Sequence, residues 1–116
     1  MKLPAGEAAI VEMPKLRDYC LNPLHPRGRH KARVFVSALG ITRDDAEFLG
    51  AELLRAARDG EASKGTVDQF GERYTVDFTL VCRHRQALVR SSWIVRTGER
   101  IPRLTSCFVI LKGGLP

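Results

Sequence analysis

Beyond Thr66 the hydrophobic residues of this chain recur at every second position, whereas up to Gly60 they recur at every third or fourth. A period of two belongs to strands with one buried face and a period of 3.6 to helices, so the change divides the chain into a helical first half and a sheet-forming second half. Arg73–Leu80 carries the pattern most cleanly, with Tyr74, Val76, Phe78 and Leu80 alternating with polar neighbours. Such alternation predicts a half-buried antiparallel strand. A strand is expected before it over Gly65–Gln69, turning at Phe70-Gly71-Glu72. A third is expected over Gln86–Arg96 and a fourth over Arg103–Leu111, joined by Thr97-Gly98-Glu99-Arg100.

The first half reads as short helices. Ala8–Met13 is an apolar run suited to a brief edge strand, and Pro14 sits where a first helical turn favours it. A helix of about two turns over Lys15–Leu21 ends at Asn22-Pro23, because the residue before proline avoids the helical region. Gly28, in the loop that follows, is expected to supply a positive φ. From Arg29 the residues Val34, Phe35, Ala38 and Leu39 follow the helical period until Gly40. Thr42 is an N-cap for a third helix reaching Arg58, with Leu49, Leu53 and Ala57 in one stripe and Ala46, Gly50 and Leu54 beside it. Helices followed by a meander predict an α+β domain over residues 1–116, its three helices and short N-terminal strand on one face of a four-stranded antiparallel sheet. Residues 112–116 are expected to be a loose tail.

No stretch approaches the ~20 apolar residues of a membrane span, and the N-terminus lacks the apolar core of a signal peptide. These features predict a cytoplasmic protein, one delivered by another route, or a module of a longer chain. The three cysteines, Cys20, Cys82 and Cys107, form no Cys-x-x-Cys, so neither a zinc site nor a local redox pair is encoded; Cys82 and Cys107 read as core residues. The net charge of +6 is unevenly placed. Residues 15–33 and 83–103 together hold twelve of the nineteen lysines and arginines but two of the thirteen acids. Clustered arginine predicts a polyanionic partner, nucleic acid first and an acidic protein second.

The chemistry concentrates in His25–Phe35, which holds two histidines, four cations and a glycine in eleven residues. His25 lies in a turn between two prolines, where an imidazole suits proton transfer near neutrality. Lys31 shares a helix face with Phe35; if Phe35 enters the core, Lys31 stands at the rim of the sheet. Strand parity, with Trp93 and Phe108 toward the helices, puts Arg90 and Thr105 together on the open face, a pair suited to a phosphate. Arg27, Gly28, Arg29, His30, Arg33 and Arg103 are the expected phosphate contacts, Gly28 through backbone amides at a helix start. No Walker loop, Gly-x-Ser-x-Gly or His-x-x-x-His occurs, and carboxylates are scarce in both basic stretches, so no metal or other cofactor is expected.

The run from Pro14 through Asn22-Pro-Leu-His-Pro-Arg-Gly28 to Lys31-Ala-Arg-Val-Phe35, followed by Ala38-Leu-Gly-Ile-Thr42, resembles an uncharacterised bacterial domain family with the pattern KL..YLLNP.HP.G..KA.FF..LGF. Ala87–Val95 and Pro102–Thr105 also fit it. That family occurs alone, beside a small partner protein, and as a C-terminal module of polymorphic toxins. Its order of elements is similar to the barnase/EndoU/colicin/RelE class of metal-independent ribonucleases. The resemblance implies an RNA-cleaving domain in which His25, Lys31, Arg90 and Thr105 are catalytic, with an acidic antitoxin or immunity protein as partner. It also implies attack of a ribose 2′-hydroxyl on the adjacent phosphorus, with His25 as general base or acid and His30 as the spare proton-transfer group. The T-x-Y-P ending of related domains stands here as Thr105-Ser-Cys-Phe108, which lacks the phenol and the proline. The alternative is a non-catalytic basic module that binds an acidic protein or nucleic acid.

Overall fold

The computed structural model describes residues 1–111. The helical half comprises α1 (Met13–Lys15), continued by a π-helical turn over Leu16–Cys20, then α2 (Arg29–Leu39) and α3 (Ala46–Asp59). The sheet is formed by β1 (Ala62–Asp68), β2 (Gly71–Cys82), β3 (Arg85–Arg96) and β4 (Arg103–Val109). All neighbours are antiparallel and the spatial order is β1-β2-β3-β4, a meander with an α+β arrangement of layers. The tail expected over residues 112–116 lies outside the described residues.

Local chemistry accounts for the helix ends. Thr42 and Asp45 form a reciprocal capping box at the turn that leads into α3, so two amides without helical partners are satisfied. Gly40, at φ 67°, lets its own amide and that of Ile41 close on the carbonyls of Val36 and Phe35 and end α2. The π turn arises where Leu21 donates to Leu16, five residues back, just before Asn22-Pro23 ends the coil. Of the strand expected over Ala8–Met13 only a single bridge remains, from Ile10 to Arg103; a 3-10 turn at Gly6–Ala8 and a bridge from Lys2 to Glu61 precede it.

One hydrophobic cluster joins the layers. Leu16, Phe35, Leu39, Leu49 and Leu53 from the helical half meet Val76, Leu80, Val89, Trp93 and Leu104 from the sheet. Leu54, expected beside the apolar stripe of α3, is instead exposed. Trp93 is wholly buried, and its indole N–H donates to Ser91 Oγ at 2.8 Å, which donates to the Val76 carbonyl at 2.7 Å. Both polar groups are thereby satisfied inside the core, where an unpaired one would cost about 1–3 kcal/mol.

The pairing of β3 with β4 corrects the expected side-chain parity. Ser92 pairs with Ser106, but Trp93 pairs with Leu104, so Thr105 is the extra residue of a β-bulge. One additional residue inverts the alternation beyond it. Leu104, Cys107 and Val109 are therefore the buried residues of β4, and Phe108 lies opposite Arg90 rather than beside Trp93. Thr105 is half-buried at the bulge, where it interrupts the pairing of β3 with β4.

Candidate functional site

The turn that enters α2 is organised by His25. Its Nδ1 accepts from the backbone amides of Arg27 and Gly28, each at 3.0 Å, while its carbonyl accepts from Arg29. His25 thus closes the turn Pro26–Gly28 that leads into α2, whose own N-cap is Gly28 without a side-chain cap bond. A nitrogen that accepts two N–H bonds carries no proton, so the neutral ring holds its proton on Nε2. The imidazole is therefore fixed as an Nε2–H donor.

Gly28 is required for a reason other than φ, which is −90° here and open to any residue. A β-carbon at this position would collide with the Tyr19 carbonyl, so the glycine permits the turn to press against the π-helical turn. Its amide, bonded to His25, is not turned toward an anion as the sequence reading expects.

This close approach brings Tyr19 into the site, a residue that the helical pattern assigns only to the packed side of a short helix. The Tyr19 and His25 rings meet edge to face, 5.0 Å apart with an angle of 81° between planes. Lys31 Nζ donates to the Tyr19 hydroxyl at 3.1 Å and lies 5.1 Å from the ring centre, so it addresses the oxygen more directly than the π face. Phe35 is fully buried one turn along α2 and anchors Lys31 at this position. The ammonium can only donate, so the phenol accepts from it and retains its own proton for another acceptor. No such acceptor occurs among the described residues.

Tyr19, His25, Lys15, Arg27 and Thr105 line one cleft of about 570 Å³. Its two acids are directed at arginines, Asp18 to Arg43 at 3.1 Å and Glu12 to Arg103 at 3.9 Å. Thr105 Oγ1 donates to the Ser92 carbonyl at 3.1 Å, which leaves it only acceptor capacity. Beside this cleft lies a second of about 680 Å³, to which His30, Lys31, Arg33 and Phe108 contribute. Lys31 stands between the two.

Arg90 lies apart from this group. Its guanidinium forms a bidentate pair with Asp77, at 2.8 and 2.9 Å, across β2 and β3 on the open face. The hydrogen bond and charge of Asp77 hold the Arg90 guanidinium above its usual pKa. Arg103 is divided between Glu99 and Glu12. Arg83 reaches the Gly40 carbonyl and Asp45, and Arg85 reaches the Val36 and Ser37 carbonyls, so both close the C-terminal end of α2. By contrast Arg27, Arg29 and Arg33 are exposed and form no ion pair among the described residues.

The three cysteines are free and buried. Cys107 is pushed well above the usual thiol range by its hydrogen bond with Cys20 and by burial. No helix among the described residues is long and apolar enough to cross a membrane, and no group of three or more potential metal-ligating side chains occurs among them.

Comparison with curated protein sequences found no match. Among solved structures, a chain of a contact-dependent growth inhibition toxin–immunity protein complex from Klebsiella pneumoniae 342 shares the fold, with a TM-score of 0.67 at 14% identity. The likeness covers 90% of this chain and 96% of that one. At the level of sequence, a family model described as a domain of unknown function, DUF6883, matches residues 2–111. The chain belongs to the DUF6883 family.

Proposed function

We propose that this chain is a toxin-like domain that binds RNA and cleaves it without a metal ion. The observation that carries the reading is a convergence of donors whose acceptor needs are met elsewhere. The Tyr19 hydroxyl oxygen accepts from Lys31, and His25 Nδ1 accepts from two amides. The Tyr19 proton beside the Lys31 ammonium and the Nε2 proton of His25, whose ring lies 5.0 Å from that of Tyr19, therefore remain available. Such a set favours an anion whose charge grows during reaction, as at a phosphorane. Unpaired Lys15, Arg27 and Arg29 add positive potential that steers a polyanion toward it. The fold shared with a chain of a toxin–immunity protein complex supports the toxin setting and an immunity protein as partner, and an acidic one would match these cations.

In this mechanism a ribose 2′-hydroxyl attacks the adjacent phosphorus and loses its proton to solvent. The bond from phosphorus to the 5′-oxygen breaks, and Tyr19 protonates the departing oxygen. Lys31 stabilises the phenolate until solvent reprotonates it. The products end in a 2′,3′-cyclic phosphate and a 5′-hydroxyl. His25 Nε2–H donates to a non-bridging oxygen, in place of the acid or base role expected from its sequence context. Arg90 and Thr105 act as supporting contacts: Arg90 meets the strand along the open face, and Thr105 holds the bulge that shapes the cleft.

The same His25 geometry favours a second reading, a binding module, because the turn leaves the cleft no free basic nitrogen. Incubating RNA with the protein in EDTA separates the two. The ribonuclease reading expects fragments with cyclic phosphate ends; RNA that is bound but intact between roughly pH 5 and pH 8 leaves the module alone standing.

A further inference from the structure

We propose that the second cleft is a nucleobase subsite, in which one base of a single-stranded RNA stacks on Phe108 while the adjoining phosphate is held at Lys31. The inference rests on the RNA reading above and specifies how the strand lies. Phe108, Val34 and Leu111 supply an aromatic and aliphatic wall, and His30, Lys31 and Arg33 supply the polar rim. No carboxylate lines this cleft. Its volume of about 680 Å³ falls within the ~300–1,000 Å³ typical of small-ligand sites.

Charge and shape together select the occupant. A purely apolar anchor from a protein would use the wall and leave the cationic rim without a partner. A free phosphate would use the rim and leave the wall bare. A nucleotide carries a flat π surface joined to an anion, and so matches both halves. The position of Lys31 makes the match continuous: it lines this cleft and also donates to Tyr19, which lines the neighbouring one. A phosphate at Tyr19 and a base on Phe108 would then be adjacent parts of one strand.

The test compares binding of a short single-stranded RNA with binding of the same sugar-phosphate chain made without bases. Stacking on an aromatic side chain is worth about 5- to 150-fold per base, so wild-type protein should prefer the base-bearing strand by a factor in that range. Phe108→Leu keeps the apolar filling and removes the π surface; it should abolish most of the preference while circular dichroism remains unchanged. Lys31→Ala should weaken both strands alike. In an arm that needs no variant, 2-aminopurine in the RNA should be quenched on binding to wild-type protein. Equal wild-type affinity for the two strands, a preference that survives in Phe108→Leu, or unquenched 2-aminopurine would overturn the subsite while leaving RNA binding in place. Failure of wild-type protein to bind either strand would overturn the RNA reading and the subsite with it.

Discussion

Residues 15–33 and residues 83–103 each carry six lysines and arginines against a single acid, yet the fold uses the two sets differently. In the second stretch Arg83 and Arg85 close the end of α2, Arg90 is paired with Asp77 and Arg103 is shared by Glu12 and Glu99, which leaves only Arg96 and Arg100 without an acidic or carbonyl partner among the described residues. In the first, Arg17 is paired with Glu47, while Lys15, Arg27, Arg29 and Arg33 have no acidic partner among the described residues and Lys31 holds a phenol. Charge density along a sequence therefore does not measure charge available to a partner. What matters is whether the topology brings acids and helix carbonyls to the same place, as β2, the turn before α3 and the end of α2 do for Arg90, Arg83 and Arg85.

The largest effect should come from the phenol. Tyr19→Phe removes one oxygen from the cleft and should lower the rate of RNA cleavage by ~10²–10⁴-fold with little change in affinity, the behaviour of a general acid. Lys31→Ala should cost ~10²–10³-fold in rate and weaken binding as well, because the ammonium meets the phosphate before and during reaction. Comparing single-turnover rates with filter-binding affinities distinguishes the two residues. Wild-type rates in Tyr19→Phe would return that chemistry to other groups.

Next in size is the effect of Gly28→Ala. The new methyl group would meet the Tyr19 backbone, and forcing the turns apart should cost about 1–3 kcal/mol by denaturant unfolding and disturb cleavage in parallel. An unchanged unfolding midpoint would show that the two turns are not pressed together as described. The smallest effect is expected in the second basic stretch. Arg85→Ala should lower stability by about 0.3–1 kcal/mol through loss of its contacts at the end of α2, and leave RNA affinity unchanged.

Much of this arrangement is legible in the sequence. Gly40, the Thr42 capping box and the period-two runs mark element ends to within a few residues, because each is set by local chemistry. The bulge at Thr105 is not legible, since Leu104/Ser106/Phe108 and Thr105/Cys107/Val109 are both plausible apolar faces and only pairing with β3 decides between them. Tyr19 escapes for a related reason: a 3.6-residue period has no place for a five-residue hydrogen bond, so the π turn that presents the phenol reads as an ordinary short helix. His25 carried a usable signal. A residue with a side-chain acceptor directly before proline in the turn that leads into a helix can accept from the amides that follow, and it points to a tautomer rather than to a base.

The slope of RNA affinity against salt concentration tests the contrast between the two stretches most directly. Each phosphate neutralised on a single strand contributes roughly 0.7 to the slope of log affinity against log salt. The double variant Arg27→Gln/Arg29→Gln should therefore reduce the magnitude of the wild-type slope by about 1.4, while Arg83→Gln/Arg85→Gln leaves it unchanged. A slope that falls in the second variant and holds in the first would contradict the assignment of the RNA-binding surface to residues 15–33.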